Sequence, residues 1–274
     1  MTILDGKKVS NDIKNEITEE VKQIKSRGEK VPHLAAVIVG NDGASLTYVG
    51  SKVRTCEQIG FESTLIQLPD TITENELLTE IETLNKNSEV DGFIVQLPLP
   101  KHIDSEKILL SIHPDKDVDG FHPANFGKMA LDMPSFIPAT PYGIMELLDR
   151  YNVPTTGKHT VVIGRSHIVG RPMSILLSRR GEPGDSTVTL THSRTQNIEI
   201  IGRADHDFNK LQISMAKSTI QRTITIASKS INKYIQVKTI QFGLDVRNCF
   251  LPFRKVLKEF LGSQRKELFL TQHF

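Results

Sequence analysis

HTVVIGRSHIVGRPMSILLSRRG, residues 159–181, reads as a strand, a glycine turn and a helix in direct succession. His159–Ile163 is mostly apolar and β-branched, Gly164 and Gly170 bracket a short turn, and a helical pattern begins near Pro172. In α/β proteins this is where a dinucleotide pyrophosphate rests on backbone amides at a helix N-terminus. The spacing is G-R-S-x-x-x-G, not G-x-G-x-x-G, so this segment alone fits an ordinary tight turn equally well. STVTLTHSRT, residues 186–195, supplies the next strand and its loop. An NAD enzyme would place a carboxylate about 20 residues beyond the glycines to grip the ribose 2′-hydroxyl. Ser193 and Arg194 stand there instead, and Arg165 lies in the turn itself. A cation with hydroxyls suits a 2′-phosphate, so the expected cofactor is NADP, although a solvated loop arginine is the commoner occurrence.

Upstream the same alternation runs back to the start. Val9, Ile13, Ile17, Val21 and Ile24 recur at helical spacing, and HLAAVIVG (33–40) is a buried strand by its length and flanks. A helix is expected over 44–59 and a strand over 62–69. Thr73 and Glu76 have the spacing of a capping box for a helix to about Asn87. VDGFIVQLPLP (90–100) reads as a strand running into a proline-rich turn, followed by a short helix over 104–112. Pro138, Pro141 and Gly143 open a helix through Leu147 that could join two lobes. Strands separated by helices imply parallel sheet covered on both faces. The expected class is therefore α/β with two lobes.

Three places carry chemistry. Tyr48 and Lys52, four apart on the helix, share a face. In a cleft the lysine could transfer protons, with the tyrosine orienting it or stacking on a flat substrate. More often such a pair is exposed and amphipathic. Gln96 ends a strand, where open α/β sheets place ligands, and prolines stiffen the loop behind it. Its other reading is a turn glutamine without chemical consequence. Lys116-Asp117-Val118-Asp119-Gly120 lacks the further oxygen ligands and distant glutamate of an EF-hand. A charged turn is the default there, and a carboxylate pairing with the N–H donors of an aminopyrimidine-like ring is the alternative. Scattered histidines without HExxH-type spacing argue against a metal, and the lack of G-x-S-x-G argues against a serine hydrolase.

Composition narrows the classes. Net charge is +2 with 38% hydrophobic residues, which gives no general reason to expect nucleic acid or membrane. Two cysteines cannot form a disulfide framework, the first residues lack an apolar signal region, and no run approaches the ~18 apolar residues of a membrane span. A cytoplasmic location is expected.

Taken together, TYVGSK, DGFIVQLPLP, KDVDG, PATPYGI, VVIGRSHIVGRPM and TVTLTHSRT follow in one order. That ordered set resembles the bifunctional methylenetetrahydrofolate dehydrogenase/cyclohydrolases from about residue 2 to residue 205. The resemblance implies an N-terminal αβα catalytic, folate-binding lobe over 1–143 and the start of a Rossmann-like NADP-binding lobe over 144–205. It implies a folate site of Tyr48, Lys52, Gln96 and Asp119, with Lys52, Tyr48 and Gln96 catalytic. It implies an NADP site of Gly164, Arg165, Ser166, Gly170, Ser193 and Arg194, and a homodimer acting on tetrahydrofolate derivatives. Ala139 departs from the cysteine many members carry in P-C-T-P.

From residue 206 to 274 the resemblance stops. His206 onward holds twelve Lys and Arg against four Asp and Glu, whereas 22 stand against 28 before it. Sixteen of the 18 glycines lie upstream, and the glycine-rich loops expected beside the nicotinamide are missing. The segment shows no clear succession of strands and loops. Such a break reads as an out-of-frame C-terminus, with a divergent tail as the alternative. Either leaves room for a catalytically impaired family member. An NADP-dependent dehydrogenase of another small substrate is a third reading.

Overall fold

A computed structural model of the chain describes residues 4–198, 201, 210–215 and 224–228. The expectations for the remainder of 206–274 lie outside the described residues. Among the described residues the chain divides into two compact units, one of residues 12–126 and the other of residues 4–11 together with those from 127 onward.

The first unit is built on a parallel sheet. Its strands are β1 (His33–Val39), β2 (Glu62–Leu68) and β3 (Gly92–Val95), in the order β2-β1-β3. Central β1 pairs Val37 with Ile66 on one side and Val95 on the other. From Leu34 to Val39 it is buried, as a strand with helices on both faces must be. One side packs Ala35, Val37, Val39, Phe93 and Val95 against Leu77, Ile81 and Leu84 of α3 (Glu74–Lys86) and Ile108 of α4 (Ser105–Ser111). Each of these Val, Leu, Ile and Phe side chains contributes about 1.5–3 kcal/mol on burial. Ile13, Ile17, Val21 and Ile24 of α1 (Gly6–Ser26) are buried, the stripe their spacing predicts.

Caps fix where the helices begin. Asp42 accepts from Ser45 N at 2.8 Å and starts α2 (Gly43–Ile59). The Thr73–Glu76 capping box is formed in both directions. Strand β3 is shorter than its sequence suggests. Gln96 N still donates to Val37 O at 2.9 Å, but Pro98 and Pro100 have no N–H with which to continue the ladder. Two elements escape the sequence reading: a 3₁₀ turn at Pro114–Lys116 and α5 (Pro123–Ala130). The run Pro-Ala-Asn-Phe-Gly hides the helical period of α5, and its start is fixed by tertiary bonds.

The second unit contains α6 (Ala139–Arg150), β4 (His159–Ile163), α7 (Gly170–Ser178) and β5 (Thr187–Thr191). Strands β6 (Lys210–Met215) and β7 (Ile224–Ser228) follow. Strand order is β5-β4-β6-β7, with β4 parallel to both neighbours and β7 antiparallel to β6. Met173, Leu176 and Leu177 of α7 are buried, and α7 packs on β4 and β5. The loop from α7 to β5 is clasped by Glu182, whose carboxylate accepts from the amides and hydroxyls of Thr155 and Thr156. Burial pushes the Glu182 pKa up, but these bonds prevail and leave it below its usual value.

Strands β6 and β7 differ from the expectation that no strand succession follows residue 206. Leu211, Ile213 and Met215 alternate with polar residues, as do Ile224 and Ile226. A vacant edge on β4 rewards pairing with such a period-two segment. The α/β class and the parallel sheets are as expected.

Candidate functional site

Helix α2 places the Tyr48–Lys52 pair. The one-turn spacing brings Lys52 Nζ to 4.6 Å from the centroid of the Tyr48 ring, a cation–π contact. Lys52 is only 2% exposed. Burying an ammonium is costly, and the ring face offsets only part of that cost. The exposed amphipathic alternative for this pair is therefore excluded.

Gln96 lies at the carboxyl end of β3, half-buried, with Nε2 donating to Leu97 O at 2.6 Å. On the outer side of β3 runs the KDVDG turn, tied to it by a bridge between Phe93 and Asp117. Gly92 makes this approach possible. A Cβ at that position would meet Val118 Cγ1 at 2.2 Å, so any side chain would lift the turn away.

The turn is pinned at each residue but one. Lys116 Nζ donates to Leu84 O at 2.7 Å and Asn87 O at 2.6 Å, capping the end of α3. Burial lowers the Lys116 pKa. Asp117 is buried and accepts from Phe121 N at 3.3 Å, His122 N at 2.8 Å and Asn125 Nδ2 at 2.9 Å. Burial lifts its pKa from 3.8 to about 6 against the pull of those bonds. Gly120 closes the turn at a φ of 68°, a left-handed conformation that favours glycine. Asp119 is half-buried, and none of the described residues donates a hydrogen bond to its carboxylate. Sequence reasoning singled out Asp119 and missed Gly92, Asp117 and Asn125. The signal was present as two carboxylates two residues apart, but which one turns inward is a tertiary fact.

In the second unit, Gly164 N donates to Thr191 O at 3.0 Å, and Ile163 pairs with Thr191. The glycine turn and the loop of Ser193 and Arg194 therefore leave neighbouring strands at one edge. That loop is a closed turn, with His192 N donating to Thr195 Oγ1 at 2.9 Å and Thr195 N to His192 O at 2.8 Å. Arg165, Ser166, Ser193 and Arg194 are exposed. The Ser166 hydroxyl accepts from the amides of Val169 and Gly170 at 3.2 Å each, which shows that those donors converge on one point.

This turn fits a dinucleotide. Gly164 has a φ of 112° with nothing within 4 Å of a Cβ built on it, so the backbone there is open to close approach. A Cβ on Gly170 would fall 1.8 Å from Gly164 O, so glycine lets the turn and helix start lie together. Converging amides at a helix N-terminus match phosphate oxygens, and Arg165 and Arg194 match an additional phosphate. A surface groove of about 490 Å³ lined by Leu78, Asp104, Glu106, Lys107, Leu110 and Ser111 contains none of these residues.

The comparisons with known proteins agree in both units. Residues 4–119 match the catalytic domain described as tetrahydrofolate dehydrogenase/cyclohydrolase, and residues 138–206 match the NAD(P)-binding domain of that family. The bifunctional protein FolD of Flavobacterium johnsoniae is 75% identical over 198 residues, 72% of this chain and 67% of that protein. FolD of Flavobacterium psychrophilum is 61% identical over 243 residues, 89% of this chain and 77% of that protein. The crystal structure of the Trypanosoma brucei methylenetetrahydrofolate dehydrogenase-cyclohydrolase, in complex with NADP and an inhibitor, superimposes with a TM-score of 0.74. It is 29% identical and is covered to 98%, as is this chain. The chain belongs to the tetrahydrofolate dehydrogenase/cyclohydrolase family.

Proposed function

We propose that the chain oxidises 5,10-methylenetetrahydrofolate with NADP and then hydrolyses the 5,10-methenyl product to 10-formyltetrahydrofolate. The observation that carries this reading is the buried Lys52 resting on the Tyr48 ring within the unit matched to the catalytic domain. In this reading residues 1–143 form the folate-binding domain, 144–205 begin the NADP-binding domain, and 206–274 are an atypical segment.

NADP, when bound, supplies the oxidising equivalent for the first step. Gly164, Ser166 and Gly170 would hold its pyrophosphate, and Arg165, Ser193 and Arg194 its 2′-phosphate. Asp119 accepts from the aminopyrimidine N–H donors and fixes the pterin. In the second step water adds to the methenyl carbon and Lys52, as the free amine, takes up the first proton the water loses. The resulting carbinol then opens, its O–H proton leaving to solvent as the carbonyl forms and Lys52 returning its proton to the ring nitrogen as the bond from that nitrogen to the carbon breaks. Gln96 and Tyr48 orient the lysine for that exchange. The product would serve purine and amino-acid biosynthesis, and the active species would be a cytoplasmic homodimer without nucleic-acid or membrane partners. No described helix is long and apolar enough to cross a membrane.

An inactive family member is not favoured, since the relative from Flavobacterium psychrophilum remains similar over 89% of this chain. The test is the NADP-dependent absorbance change with 5,10-methylenetetrahydrofolate, alongside methenyl hydrolysis. Wild-type chain is expected to do both, and Lys52→Ala to lose about 100-fold or more in hydrolysis. Folded wild-type protein without NADP reduction, or a Lys52→Ala variant with full hydrolysis, defeats the proposal.

A further inference from the structure

We infer that Asp117, clamped by Asn125, is the positioning residue that sets the Asp119 carboxylate for the folate substrate. The inference rests on the reading of Asp119 as the pterin anchor. Asp117 itself cannot take that role, because it is 3% exposed and its oxygens are already spent on three donors.

The three donors all belong to the chain that follows the turn. Phe121 N and His122 N lie at the entry to α5, and Asn125 is in its first turn. Asn125 Nδ2 also donates to Pro114 O at 2.8 Å, so one amide group spans the loop from its first residue to its carboxylate. Opposite, Asp117 bridges to Phe93, and Val118 seats against Gly92. Asp117 thus joins β3 to the start of α5, and Asp119, between these fixed points, has little freedom to move. A carboxylate buried at such cost needs a compensating purpose, and alignment of a ligand-binding neighbour supplies one.

The charged groups around Asp117 are few. Asp119 on the same turn raises its pKa, and His122 at the entry to α5 gives its amide to Asp117 while its own Nδ1 accepts from Ala124 N. Lys116 is committed to the end of α3, and β3 presents Gly92 and Phe93. Protonation of Asp117 removes acceptor capacity from the clamp, so substrate binding should weaken as pH falls through about 6.

KM values for 5,10-methylenetetrahydrofolate and for NADP, measured on the full chain between about pH 5 and 8, test this in wild type, Asp117→Asn, Asn125→Ala and Asp119→Asn. Asp117→Asn should raise the folate KM about tenfold and Asn125→Ala about threefold, with the NADP KM changed less than about twofold. In wild type the folate KM should rise as pH falls through about 6, and Asp117→Asn should abolish that rise. Should Asp117→Asn not fold, Asn125→Ala carries the test, since it leaves the carboxylate and both amide bonds in place. A raised folate KM in Asp119→Asn with unchanged values in the other two variants overturns the positioning role. So does an equal rise in the NADP KM, which marks a merely structural effect. An unchanged folate KM in Asp119→Asn overturns the anchor reading itself, and this inference with it.

Discussion

Asp117 couples stability to pH in a direction opposite to carboxylates such as Glu74, Glu76 and Glu182, whose pKa values are lowered. Burial raises its pKa in the folded state to about 6 from 3.8. Between these values the folded chain binds more protons than the unfolded one, so this contribution to stability falls as pH rises through that window. Glu182 behaves the other way: its pKa is lowered, and the stability it adds is lost as pH falls. The stability difference between Asp117→Asn and wild type should therefore move in the variant's favour as pH rises from about 4 to about 7, by up to about 3 kcal/mol. Thermal melts across that range decide it, and a difference independent of pH overturns the assignment. Tyr48 and Lys52 were legible as a pair because four residues make one helical turn whatever surrounds it. The division of labour between Asp117 and Asp119 was not, since an isolated turn gives both carboxylates the same standing until β3 and α5 are packed beside it.

At the scale of elements, the glycine turn between β4 and α7 stands on a backbone contact. A methyl group on Gly170 would press on the Gly164 carbonyl at 1.8 Å and force strand end and helix start apart. Gly170→Ala should cost about 1–3 kcal/mol or more in stability and raise the NADP KM about tenfold, leaving the folate KM nearly unchanged. Paired KM measurements check the split, and equal losses in both defeat it. Strand and helix order through β5 was readable because the hydrophobic period changes from two to 3.6 at each boundary. Helix α5 was hidden because its proline and glycine break that period and its start depends on Asp117, which comes from outside the helix.

For the molecule as a whole, the sequence divides more sharply than the sheet does. The family model match ends at residue 206, where the charge and glycine content shift, yet β6 continues the parallel pairing on β4. An alternating segment suffices to fill an open strand edge, so pairing there is compatible with a tail of foreign composition. If the tail is out of frame, another reading frame downstream of the Asp205 codon encodes the missing glycine-rich loops. Resequencing the gene checks this, and a downstream region without such loops in any frame refutes it. The two ends of the nucleotide turn carry a separate consequence. The register that sets Gly164 beside Thr191 belongs to the backbone ladder between β4 and β5, whereas Arg165, Ser193 and Arg194 stand in solvent. Exposed substitutions usually alter folding by less than about 0.5 kcal/mol. Under the proposed roles, grip on a nucleotide rests on the architecture and preference among nucleotides on exposed side chains, so substitution can revise the second without disturbing the first.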